Sequence, residues 1–109
     1  MWRMIAAAFV LTLSTGSPAK AGFFSGVELS EMCREESQVC VGYVMGVFDD
    51  LLLEDSDAPE SRICVPSGIT GGQIVRVVNA YLAELPDQLH WQANVLVRGA
   101  IITSLRCTS

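Results

Sequence analysis

The chain reads as an all-α protein: a small disulfide-stabilised bundle of about four helices after a cleaved signal peptide. Apolar residues recur at helical spacing almost throughout, and no segment sustains the alternation of a strand. Behind the leader only 88 residues remain, enough for one domain with a modest core. All four cysteines (Cys33, Cys40, Cys64, Cys107) lie in that part. An even count in a short exported chain implies two bridges, with three possible connectivities.

The leader comes first. Arg3 supplies a positive start, and Met4 to Leu13 form ten residues of apolar character broken only by Thr12. Ala19-Lys20-Ala21 then gives a small-x-small cleavage pattern, so residues 1–21 are expected to be removed and 22–109 to form the exported domain. A membrane span needs ~20 apolar residues, so this stretch is too short to anchor the protein. No cysteine follows the cleavage point to carry a lipid. The expected domain carries five arginines, no lysine and twelve carboxylates, a net charge of −7. Nucleic acid and anionic lipid need basic patches, so neither is an expected partner, whereas a basic protein is compatible.

The first helix is expected from Ser25 to Cys33, because Ser25 and Glu28 form a capping box. Arg34, Glu35 and Glu36 then break the direction. A second helix starts near Ser37 and runs to about Leu53, with Val39, Tyr43, Val47 and Leu51 on one face joined by Cys40, Val44 and Phe48. Gly42 and Gly46 stand one turn apart inside it and cost ~1 kcal/mol each relative to alanine. Close approach of another helix backbone within the core is the expected compensation.

Glu54 to Arg62 form an acidic loop. Asp55-Ser56-Asp57 weakly resembles a calcium loop, but Pro59 replaces a ligand and the required glycine is missing. Pro66 and Gly68 make a turn. Thr70 and Gln73 then form a second capping box, opening a third helix that buries Ile74, Val77, Val78, Tyr81, Leu82 and Leu85 and stops at Pro86. Asp87 is expected to cap a fourth helix from Gln88 to about Arg106. Leu89, Ala93, Leu96, Val97 and Ala100 give it one apolar face, and Trp91, Val95 and Ile102 a second. The second face implies either a central helix or an interface with another subunit or partner.

If the helices run up and back, all four cysteines cluster at one pole. Cys40–Cys64 with Cys33–Cys107 is then the favoured pairing, the latter tying the first helix to the last. Their spacings lack the close pairs of a zinc or redox site.

Catalytic groupings are sparse. Paired cysteines leave no thiolate, and His90 has no second ligand or base at a telling spacing. Asp49 and Asp50 point ~100° apart on a helix and cannot share one acid/base site. No serine has a nucleophile-elbow context, and no phosphate loop is present. The expectation is a binding protein without metal or cofactor.

"CVGYVMGVFDD", "CVPSGITGGQIVRVVNAYL" and a last helix ending at a cysteine resemble the Rap/Tai family of type VI amidase immunity proteins. The resemblance runs from about Glu28 to Cys107, with Arg106 departing from the proline expected before the last cysteine. It implies an exported, mostly helical, non-enzymatic protein of the Gram-negative periplasm, often dimeric, that blocks a peptidoglycan-cleaving amidase delivered by type VI secretion. Cys40, Gly42, Tyr43, Gly46, Cys64, Pro66 and Gly68 match the motifs and look like determinants of fold. On physical grounds the partner contacts are expected at Glu54, Asp55, Asp57 and Glu60, with Trp91 as an aromatic anchor. The alternative is another non-enzymatic envelope protein, a holdase chaperone or assembly subunit, on the same scaffold.

Overall fold

Short-range hydrogen bonds start three of the helices. In the computed structural model, which describes residues 22–35 and 37–108, Ser25 and Glu28 close a capping box on α1 (Gly26–Arg34). Ser37 accepts from the Cys40 N–H at the start of α2 (Gln38–Ser56). Thr70 and Gln73 close the second box, on α3 (Gly71–Ala83). A 3-10 turn at Pro86–Gln88 precedes α4 (Ala93–Ser104). Among the described residues there is no strand, only two isolated β-bridges. The leader and its cleavage pattern lie outside the described residues.

Every pair of the four helices is in contact. Leu29, Val44, Ile74, Val78, Leu96, Val97 and Ile101 are fully buried at the centre. On α2 the buried stripe is Cys40, Val44, Phe48 and Leu51, while Val39 is 53% exposed and Tyr43 and Val47 are half-buried. The inward face is therefore turned by about one residue from the expected one. On α3, Val75 is buried where Val77 and Tyr81 were expected, and these two are half-buried.

α4 starts later than its capping residues suggest, and the reason is a long-range contact. The Gly26 N–H donates to the Trp91 carbonyl (2.8 Å) and the Val27 N–H to that of Leu89 (2.9 Å). Those N–H groups belong to the first turn of α1, which a helix cannot satisfy internally. Leu89 and Trp91 give their carbonyls to α1, which keeps this stretch out of α4. Gly26 permits this approach: a Cβ there would stand 2.7 Å from the Leu89 carbonyl oxygen.

The cysteines pair differently from expectation. The bridges are Cys33–Cys40, with Cα atoms 5.0 Å apart, and Cys64–Cys107, with Cα atoms 4.8 Å apart. α2 runs past Leu53 to Ser56, so its rise from Cys40 is about 24 Å at 1.5 Å per residue. Asp55 then ties Arg62 and Ile63 to the far end of that helix. Cys64 is held there, away from Cys40. It meets Cys107 instead, with the Cys64 N–H on the Leu105 carbonyl (2.8 Å) and the Cys107 N–H on that of Arg62 (3.0 Å). Cys33 and Cys40 face each other across the tight α1–α2 corner, fully buried.

The glycine expectation is also corrected. No atom lies within 4 Å of where a Cβ would sit at Gly42 or Gly46, and both face outward. The close approaches occur at Gly26 and at Gly99, under the Tyr81 hydroxyl.

Candidate interaction site

Gly42 and Gly46, with no side chains, leave a trough along the outer side of α2. Tyr43, Val47 and Asp50 on α2 and Asn94 and Arg98 on α4 complete a cleft of about 410 Å³. A second cleft of about 200 Å³ adjoins it, lined by Leu51, Asp55, Ile63 and Ile102, and shares Arg98. Arg98 is fixed between the two: its Nη2 donates to both Glu54 carboxylate oxygens, at 2.9 and 3.1 Å. Both side chains are partly exposed, so this ion pair sets geometry more than it adds stability.

The acidic residues expected to meet a partner separate into two kinds. Glu54 is taken up by Arg98. Asp55 organises the loop: its carboxylate accepts from the Ser61 hydroxyl (2.6 Å) and from the Arg62 (2.9 Å) and Ile63 (3.4 Å) N–H groups. These bonds, the Ser61 one foremost, hold its carboxyl below the usual carboxylate range. Asp57 and Glu60 are exposed. Trp91 is 45% exposed with the His90 ring edge-on beside it. It precedes α4, whereas the loop packs near Ile102 toward the far end. Glu54 meets Arg98 midway along α4 and Asp55 lines a cleft with Ile102 beyond it, so Trp91 stands about two helical turns or more from the acidic residues along that helix.

What lies between them is apolar. Val95 and Ile102 on α4 are 48% and 37% exposed, flanking the Asn94–Arg98 edge of the clefts. The second apolar face expected of α4 is thus partly exposed at Trp91, Val95 and Ile102. Burial pushes the Tyr43 phenol up, with the Asn94 main-chain amide acting in the other direction. Its ring packs edge-on against Phe24, centroids 5.4 Å apart.

Asn94 and Arg98 are the residues that sequence reasoning missed. They stand one turn apart, beside the Ala93–Val97 face, and that spacing was the available signal. Chemically the region offers apolar walls with an amide, a phenol, a carboxylate and a guanidinium at the edge. That set suits recognition of another protein surface. Among the described residues no three His, Cys, Asp or Glu side chains are placed to hold a metal ion, and no helix is long and apolar enough to cross a membrane.

A family model described as Rap1a immunity proteins matches residues 25–107. No curated protein and no solved structure matches the chain.

Proposed function

The chain belongs to the Rap1a immunity proteins, and from that premise we propose that it is a periplasmic inhibitor of a type VI-secreted peptidoglycan amidase. The match over residues 25–107 carries the reading. By binding the toxin that sibling cells deliver, the protein spares its producer. The export-type leader and the two disulfides fit an oxidising compartment outside the cytoplasm.

The contact surface follows from what remains uncommitted. Asp57, Glu60 and Trp91 are free to meet the enzyme, with Trp91 as the aromatic anchor. Glu54 and Asp55 act by holding Arg98 and the loop in shape, so their replacement weakens binding through the surface they support. Val95 and Ile102 offer a face for a second copy of the chain.

The test is a titration of the purified domain, disulfides intact, into the amidase encoded beside it. Binding and residual peptidoglycan cleavage are read together. Tight association with stoichiometric loss of cleavage is expected. Absence of association sinks the reading and moves the protein to the envelope-chaperone class, which the uncovered apolar side chains of α4 would then favour.

A further inference from the structure

One buried acceptor has no donor among the described residues. Asn94 Oδ1 is shielded from solvent and makes no hydrogen bond with them, an unusual state for an amide oxygen. Close to it runs the start of the described chain. A Cβ placed on Gly22 would lie 3.5 Å from Asn94 Oδ1 and 3.5 Å from Gln92 Oε1. Gln92 occupies the N-cap position of α4, yet its side chain makes no capping bond.

Gly22 is brought there by a firm local scaffold. The Ala93 N–H donates to the Phe24 carbonyl (2.9 Å), the Gly26 N–H donates to the Trp91 carbonyl (2.8 Å), and Ser25 and Gln92 form a β-bridge. The Phe24 ring is fixed against Tyr43. The backbone at Gly22 therefore lies beside two amide side chains, and the Asn94 oxygen has no partner among the described residues.

The sequence supplies a donor at this position. Ala19-Lys20-Ala21 is the pattern of a leader cleavage site. Hydrolysis by a signal peptidase breaks the C–N bond between Ala21 and Gly22. The hydroxyl of water goes to the Ala21 carboxyl and its proton to the Gly22 nitrogen, which takes up another to become an ammonium near neutral pH. A peptide N–H is a single donor fixed in the peptide plane. An ammonium has three donors and turns freely.

We propose that the Gly22 α-ammonium, created by removal of the leader, is the missing partner of Asn94 Oδ1 and Gln92 Oε1 and locks the N-terminal segment onto α4. The positive end of α4 works against a cation here. Of the charged side chains lining the cleft with Asn94, the Asp50 carboxylate works for it and the Arg98 guanidinium, paired with Glu54, against it. Unprocessed chain lacks the lock, so export and completion of the fold are coupled. The inference stands apart from the identity of any toxin.

The experiment uses protein exported with its own leader, its N-terminus mapped by mass spectrometry. A second form carries a leader altered to leave one additional alanine before Gly22. Thermal midpoints are compared for both forms in the native sequence, in Asn94→Ala and in Asn94→Asp. The extension is expected to lower the midpoint by about 4–8 °C in the native sequence. It should have a smaller effect in Asn94→Ala, where only Gln92 Oε1 remains, and a larger one in Asn94→Asp, where a carboxylate holds the ammonium more strongly. Equal midpoints in the native sequence, an undiminished effect in Asn94→Ala, or an N-terminus elsewhere than Gly22 overturns the proposal. If Asn94→Ala does not fold, the aspartate variant decides, and an unchanged gap there overturns it.

Discussion

Asp55 shows how a residue chosen for its charge turns out to act through its lone pairs. Its carboxylate gathers one hydroxyl and two backbone N–H groups from residues 61–63, closing the loop after α2. The acidic run marked the segment as a partner surface. Nothing local in the sequence distinguishes an aspartate that points outward from one that folds its loop, because the donors lie six to eight residues away. Its depressed pKa gives a definite sign. A carboxyl more acidic in the folded than in the unfolded chain contributes stability above the unfolded pKa, and that stability disappears as pH falls through the folded value. Asp55→Asn should therefore lower the thermal midpoint at neutral pH. Below about pH 4 the native protein loses the same contribution, so the two melting curves should converge. A constant separation across that range would show that the charge is irrelevant.

Helix starts were legible wherever the capping bond spans three residues. Ser25–Glu28 and Thr70–Gln73 are written into the local sequence and occur as expected. The start of α4 was not legible, because Leu89 and Trp91 serve α1, a partner more than sixty residues earlier in the chain. The same limit applies to the glycines. Spacing picked out Gly42 and Gly46, yet the residue whose missing side chain matters for packing is Gly26, which has no periodic partner. The contrast yields a prediction of opposite signs from one kind of substitution. Gly42→Ala and Gly46→Ala place a methyl in open space on α2 and should each stabilise by up to ~1 kcal/mol. Gly26→Ala drives a methyl against Leu89 and Leu96 and should cost about 1–3 kcal/mol. Urea unfolding of the three variants measures both. Destabilisation by either α2 substitution would show that the trough is filled in the isolated protein. If the toxin enters the trough, those same substitutions weaken binding while raising stability.

For the whole molecule, the two bridges do different work. Cys33–Cys40 closes a short loop inside the core, and Cys64–Cys107 spans 43 residues with Cys64 exposed. Chain-closure entropy assigns about 4 kcal/mol to the long loop and about 2 kcal/mol to the seven-residue one. Access reverses the order of vulnerability, since exchange requires a thiolate to reach a sulfur. Mild reductant followed by alkylation and mass spectrometry should find Cys64 and Cys107 modified while Cys33 and Cys40 stay joined. Simultaneous loss of both bridges would refute the ranking. The all-α bundle itself was readable from periodicity, because four amphipathic helices of this size have few ways to bury their faces. Bridge partners were not, since reach along the chain shows which pairs are possible and only tertiary contacts select among them.

The bridges also join the cysteines in consecutive pairs along the chain, first to second and third to fourth. In a chain exported N-terminus first, as proposed above, the cysteines would emerge in that same order. An oxidase that links each newly exposed thiol to the one before it therefore writes the native pattern directly, with no wrong bond to undo. Maturation should then proceed at full yield in cells lacking a disulfide isomerase, with no slow reshuffling to wait for.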